Sequence, residues 1–296
     1  MDDKKITIMD GGMGRLLKEI GAPFRRPEWS ALTLMEAPDF VEKAHNQFIE
    51  AGAEIIITNS YAIVPFHIGQ ERFDSEGHKL IKMAAKIARE CADKANHKVL
   101  VAGSIPPAFG SYRADFYEDD KAEDIYRPLI EEQESYIDIW LAETVTTIQE
   151  VIKIRECLGD TKKPFWISYT LLDREDNVTA PQLRSGETIE QAVKTAIDLK
   201  ADAVLFNCSQ PEEMEPALDI IQSLNIDISY GVYANAFEPI LKSQKANSDE
   251  TIIRPDKTPE NYLKFAQKWV SQGASIIGGC CGIMPEHIKK LSENYK

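Results

Sequence analysis

The chain has 296 residues, 43% of them apolar and 28% charged, which is the balance of a folded globular protein rather than a disordered or fibrous one. Its 48 acidic against 34 basic side chains leave a formal net charge of −14. That field repels phosphate backbones and anionic lipid surfaces, so neither nucleic acid nor membrane is an expected partner.

No stretch is apolar for long enough to span a bilayer, and Met1-Asp2-Asp3-Lys4-Lys5 lacks the apolar run of a secretion signal. A cytoplasmic protein is expected. The 5 cysteines then sit in a reducing compartment, where a disulfide framework is not expected.

In chain order, β-rich apolar runs fall at Ile6–Met9, Glu54–Thr58, Val99–Ala102, Ile137–Ala142, Phe165–Tyr169, Ala203–Phe206, Ser229–Tyr233 and Ser275–Ile277. Between them lie segments with helical periodicity, including Phe40–Ala51, Gly77–Asn96, Val145–Leu158, Thr188–Lys200, Glu212–Leu224 and Pro259–Gln272. Ala51-Gly52-Ala53, Lys200-Ala201-Asp202 and Gln272-Gly273-Ala274 read as helix-to-strand turns. Such alternation predicts an α/β (β/α)8 TIM barrel, with an open doubly wound sheet as the rival. No linker, repeat or low-complexity tract divides the chain, so a single domain over residues 1–296 is expected.

The segments after the third, fifth and seventh strands are long: Pro106–Lys121, Leu172–Gly186 and Ala234–Thr258. They follow strand C-termini, the barrel face that carries active sites. A substrate pocket is expected beneath them.

Two cysteine segments directly follow predicted strands, Asn207-Cys208 after the sixth and Gly278-Gly279-Cys280-Cys281-Gly282 after the eighth. In a barrel both reach the same mouth, where three soft thiolates suit zinc with one coordination position left open. The pair Cys280-Cys281 is also compatible with packing, a strained redox bond or a glycine-rich phosphate loop. Cys91 and Cys157 lie in predicted helices and read as small core residues.

Asp10-Gly11-Gly12-Met13-Gly14 after the first strand completes a set of three strand-end motifs. Together, from about Ile6 to Ile288, they resemble the homocysteine S-methyltransferase family. The resemblance implies a (β/α)8 barrel that holds Zn2+ through Cys208, Cys280 and Cys281. It also implies two small-molecule substrates, homocysteine and a methyl donor. Asp10 and Glu143, carboxylates at strand ends, correspond to positions that hold the homocysteine amine. Gly11 and Gly12 are expected to offer backbone N–H groups to the substrate carboxylate. Asn235 is the preferred contact after the seventh strand. Trp29, Tyr61 and Tyr112 are candidates for a cage around an onium methyl group.

The chain closes soon after the eighth strand and its helix, so no attached cobalamin module is expected. S-methylmethionine is then the expected donor, S-adenosylmethionine a second, and betaine or a corrinoid the alternative on the same barrel. A Schiff-base aldolase needs a lysine at a strand end, and none of the eight strand-end segments has one. A phosphate-binding barrel and a non-catalytic zinc-binding or redox-sensing protein remain the competing classes.

Overall fold

The computed structural model describes residues 5–173, 180–240 and 251–296. The elements run β1 (Thr7–Ile8), α1 (Met13–Glu19), α2 (Ser30–Glu36), α3 (Pro38–Glu50), β2 (Ile55–Ile57), α4 (Pro65–Ile68), α5 (Gln70–Lys94) and β3 (Leu100–Ile105). Next come α6 (Asp119–Gln133), β4 (Ile139–Val145), α7 (Ile148–Leu158), β5 (Phe165–Tyr169) and α8 (Ile189–Asp198). The last are β6 (Ala203–Asn207), α9 (Pro211–Ser223), β7 (Ser229–Tyr233), α10 (Pro259–Ser271), β8 (Ile276–Ile277) and α11 (Pro285–Tyr295).

The strands form one eight-stranded parallel sheet in the order β1-β8-β7-β6-β5-β4-β3-β2. A parallel bridge between Met9 and Ile55 joins the two ends, supported by Asp10 N–H donating to the Ile55 carbonyl at 2.9 Å. The sheet is therefore a barrel, and the open-sheet alternative falls.

Strand alternation sorts the apolar side chains into two sets. Met9, Ile55, Ala102, Leu141, Leu205, Tyr233 and Ile276 form the smaller buried cluster, which fills the barrel. Their strand neighbours Ile8, Ile56, Val101, Trp140, Val204, Val232 and Ile277 pack outward in the larger cluster with the helices.

Helix starts follow local chemistry. Pro38, Pro65, Pro211, Pro259 and Pro285 open their helices, where the missing N–H costs nothing. Thr147 and Thr188 close capping boxes with Glu150 and Gln191. The expected turn glycines Gly52 and Gly273 have φ of 101° and 94°, a region that disfavours other residues.

Several helices carried no clear signal in the sequence. In α6 the buried stripe Ala122, Ile125, Tyr126, Leu129, Ile130 and Gln133 is regular, but an acidic start and Pro128 within the helix disguise it. The short α1, α2 and α4 present too few turns for periodicity to register. The long segments after β5 and β7 fall partly outside the described residues, and the polar stretch Gln244–Glu250 falls wholly outside. No helix of the described residues is long and apolar enough to cross a membrane.

Candidate active site and metal centre

A cavity of about 370 Å³ opens at the C-terminal mouth of the barrel, lined among others by Asp10, Glu143, Cys208, Cys280 and Cys281. The sulfurs of Cys208, Cys280 and Cys281 lie within 4.8 Å of one another, the only such metal-capable cluster among the described residues. Cys208 Sγ is 2.8 Å from Cys280 Sγ and 3.9 Å from Cys281 Sγ. Tetrahedral zinc–sulfur bonds of about 2.3 Å require sulfurs roughly 3.8 Å apart, so one distance already fits and the other opens by about 1 Å. The donor set suits zinc, and no described carboxylate or histidine competes within the cluster.

Backbone geometry brings these sulfurs together. Cys208 directly follows β6 in the left-handed region, φ 53°. Cys280 N–H donates to the Ala234 carbonyl at 2.9 Å, and the Cys281 carbonyl accepts from Ala236 N–H at 2.8 Å, which fixes the β8 turn against the segment after β7. Gly12 allows the β1 turn to press on the same place: a Cβ there would lie 2.7 Å from the Cys280 carbonyl oxygen. The sulfurs are unequal. Thiol donation from Cys208 and Cys280, with help from the Arg15 charge, holds Cys281 well below the usual thiol range. Donation from Cys280 to Cys208 keeps Cys280 well above it.

Two carboxylates share the cavity. Asp10 Oδ2 accepts from Ile57 N–H at 2.8 Å, while its buried Oδ1 has no hydrogen-bond partner among the described residues. Burial, then the nearby Glu143 charge, raises the Asp10 carboxyl well above the ordinary range. Glu143 accepts from the Ser104 hydroxyl, and burial pushes its carboxyl up to about 7. Two desolvated acids with an unused acceptor make a site for a cation.

Glu143 stands at a bulge in β4. Ala142 pairs with Ile167 and Val145 with Tyr169, so β4 carries one residue more than β5 between those pairs. The sequence places Glu143 at the end of the fourth strand; in the structure β4 continues to Val145, Glu143 follows Ile139 and Leu141 on the inward face, and the bulge sets Val145 outward with the helices. Thr144 within it has φ 59°.

Other sequence expectations fare differently. Gly11 and Gly12 both line the cavity, but Gly12 N–H already donates to the Ile283 carbonyl at 2.8 Å. Asn235 is fully buried and is not among the residues lining the cavity; its Oδ1 turns back to accept from Phe237 N–H at 3.1 Å. Tyr233 and Phe237 face the cavity instead. Trp29, Tyr61 and Tyr112 do line it. However, the Arg26 guanidinium already lies 5.2 Å from the Trp29 ring centroid and that of Arg184 4.7 Å from the Tyr112 centroid. Cations on those rings weaken the case for an onium cage.

Toward the outer mouth the lining turns basic, with Arg15, Lys18, Arg25 and Arg26. Arg15 donates to the Thr251 carbonyl at 2.8 Å and lies 5.2 Å from the Phe237 ring centroid. In a chain of net charge −14 this grouping gives the cavity an acidic floor and a cationic rim. Sequence reasoning did not find Phe237, Lys18, Arg25 or Arg26, because none belongs to a local motif; Ser104 and Tyr233 lie in strand-end segments that the sequence likens to pocket segments of the family, without a role assigned to either.

Residues 7–295 match the family described as Homocysteine S-methyltransferase. Homocysteine S-methyltransferase 1 of Brassica oleracea var. italica is 30% identical, over 98% of this chain and 93% of the relative. Selenocysteine methyltransferase of Astragalus bisulcatus is 26% identical, over 97% of this chain and 91% of the relative. The metallated form of the Escherichia coli homocysteine methyltransferase MmuM superposes with a TM-score of 0.80 at 25% identity, covering 99% of this chain and 97% of the other. The chain belongs to the homocysteine S-methyltransferase family, and it is a methyltransferase built on a TIM barrel.

Proposed function

We propose that this protein is a zinc-dependent methyltransferase that moves a methyl group from S-methylmethionine to the sulfur of homocysteine. The observation that carries the proposal is the convergence of Cys208, Cys280 and Cys281 on the floor of a cavity that also holds Asp10 and Glu143. We read residues 1–296 as one homocysteine-binding domain. The reduced thiols it depends on suit a reducing compartment such as the cytoplasm.

Cys208, Cys280 and Cys281 would hold the metal. Zinc there would supply a Lewis acid that lets the homocysteine sulfur react as its thiolate, since a free thiol with a pKa of about 8.5 is ionised only to a few per cent at neutral pH. Asp10 and Glu143 receive the ammonium group, which turns their unfavourable burial into a paired one. Gly11 is left to meet the carboxylate, because the Gly12 N–H is engaged with Ile283. Residues of the basic rim, Arg15 foremost, face the carboxylate of the amino-acid donor.

The homocysteine sulfur attacks the donor methyl carbon in line. A carbon–sulfur bond forms as the bond to the sulfonium sulfur breaks, and the leaving thioether takes the electron pair. From S-methylmethionine both products are methionine. The chain's main contribution is to fix the two sulfurs and the methyl carbon in one line.

The test is zinc content together with methionine formation from homocysteine and each of S-methylmethionine, S-adenosylmethionine and betaine. About one zinc per chain, as a three-cysteine site requires, and methionine from S-methylmethionine are expected. Turnover with betaine alone would reassign the donor. Zinc without methionine from any of these donors would point to a corrinoid donor or a different acceptor, and Cys280→Ala with normal turnover would end the zinc scheme.

A further inference from the structure

The loop between β3 and α6 carries Tyr112, whose hydroxyl donates to Cys208 Sγ at 2.9 Å. Its backbone φ is 65°, a region that bulky side chains occupy only when their surroundings hold them there. The surroundings do so from two sides. The adjacent Ser111 hydroxyl is hydrogen-bonded to the Tyr61 hydroxyl at 2.6 Å. Against the Tyr112 ring, 4.7 Å from its centroid, lies the Arg184 guanidinium.

Arg184 is fixed in turn. Its side chain is 3% exposed, and its Nη2 lies 3.0 Å from Oδ2 of the fully buried Asp173. Nη1 donates to the Ile240 carbonyl at 2.6 Å. Asp173 accepts from Gln210 N–H at 3.0 Å and from Ile240 N–H at 2.8 Å. One ion pair thus joins the segments that follow β3, β5, β6 and β7. A buried ion pair seldom stabilises a fold more than apolar packing of the same volume would. Its position behind a ring that contacts the thiol cluster suggests another use.

We propose that Tyr112 is a positioning residue for the Cys208 sulfur, and that the Arg184–Asp173 pair holds the Tyr112 ring in that place. The inference rests on the reading that the three cysteines bind a metal. A phenol that donates to a thiolate favours the ionised sulfur, draws off part of its charge and fixes the direction of its lone pairs. No proton is transferred; the hydroxyl keeps its hydrogen. Groups that hydrogen-bond to metal ligands commonly change metal affinity by about 10–100-fold. By this route a loop above the cavity sets the electron density of the metal-binding sulfurs without touching the reacting atoms.

Cobalt(II) in place of zinc tests this, because its thiolate-to-metal charge-transfer band reports the energy of the sulfur lone pairs. Tyr112→Phe keeps the ring and removes only the donor. We expect the band to move to longer wavelength and zinc affinity to fall by about 10–100-fold, with metal-free thermal unfolding close to that of the unaltered chain. Arg184→Lys, which keeps a charge for Asp173 but frees the ring, is expected to move the band the same way. An unmoved band and unchanged affinity in Tyr112→Phe would overturn the proposal, and so would a large loss of metal-free stability, which marks a structural role. An unmoved band in Arg184→Lys alone would overturn the part assigned to the ion pair. If the unaltered chain binds neither cobalt nor zinc, the metal reading fails instead.

Discussion

Asn207 grips Thr144 with both ends of its carboxamide: Oδ1 accepts Thr144 N–H at 3.0 Å and Nδ2 donates to Thr144 Oγ1 at 2.8 Å. Ser168 adds a third bond, its hydroxyl donating to the same Oδ1 at 2.8 Å. Thr144 is the residue after Glu143 and Asn207 the residue before Cys208. The clamp therefore couples the carboxylate of the β4 bulge to the first cysteine, and it joins two residues in left-handed conformation, Thr144 and Cys208. Backbone strain at both points is held by one fully buried amide.

Asn207→Ala should accordingly damage the site more than the fold. The Thr144 N–H and the Ser168 hydroxyl lose their partner, which costs about 3 kcal/mol in urea unfolding. Release of the bulge displaces Glu143 and Cys208 together, and a shift on the order of 1 Å lowers kcat/KM by about 100-fold. A variant that loses the stability but keeps full kcat/KM would show that the clamp serves folding alone.

Asp10→Asn and Glu143→Gln separate substrate binding from metal binding. Each removes a charge meant for the homocysteine ammonium while leaving the cysteines in place. A charged hydrogen bond contributes about 1.5–3 kcal/mol, so KM for homocysteine should rise by roughly 10–100-fold with zinc content unchanged. With 4-mercaptobutanoate, which lacks the amine, the difference between variant and unaltered enzyme should vanish. A KM effect of equal size for both thiols would deny the two acids their assigned partner.

Much of this was legible in the sequence, for identifiable reasons. Strand positions were clear because parallel barrel strands are short, apolar and buried on both sides. Phe165–Tyr169 and Ser229–Tyr233 agree with the sequence reading at both ends. β3 and β4 extend to Ile105 and Val145, beyond the expected Ala102 and Ala142, because polar Ser104, Glu143 and Thr144 interrupt the apolar signal where the site begins. The three cysteines stood out because Cys208 follows β6 directly and Cys280-Cys281 follow β8 after two glycines. Asn235 is set behind the cavity lining, its Oδ1 accepting from Phe237 N–H while its buried Nδ2 has no partner among the described residues, and nothing local announces that a strand-end amide will cap its own loop. The Arg184–Asp173 pair and the basic rim had no signal, because their meaning depends on contacts between distant segments.

Gly12→Ala tests the close approach of the β1 and β8 turns. The new Cβ would lie 2.7 Å from the Cys280 carbonyl oxygen and 2.9 Å from Gly282 N, both backbone atoms that cannot swing aside. The cysteine turn must shift, so zinc should be lost and stability should fall by about 1–3 kcal/mol. Gly14→Ala meets only the Phe24 ring, at 3.3 Å, and lies inside α1. Its expected effect is small, with zinc retained, because alanine favours the helix by about 1 kcal/mol over glycine. Equal zinc loss in both variants would mean that general loosening, not this contact, governs the metal site.

Acid sensitivity should come largely from two buried histidines. His45 has no hydrogen-bond partner for either ring nitrogen among the described residues, and His67 meets the Pro27 carbonyl at 3.1 Å. Desolvation lowers both from the ordinary 6.5 to about 4. Above pH 6.5 folded and unfolded chains both carry them neutral, and stability is at its full value. As pH falls from 6.5 to about 4, the unfolded chain takes up protons that the folded chain refuses, so stability declines across that window. The loss approaches about 3 kcal/mol per histidine by the lower limit. His45→Leu replaces an unpartnered polar ring with an apolar side chain of similar size, and should flatten the dependence by about half, one of two such groups. Urea midpoints measured at pH 7, 5.5 and 4.5 on the metal-free protein keep zinc release out of the comparison. If His45→Leu follows the unaltered chain at every pH, His45 does not remain neutral in the fold, and the acid response must come from the carboxylates.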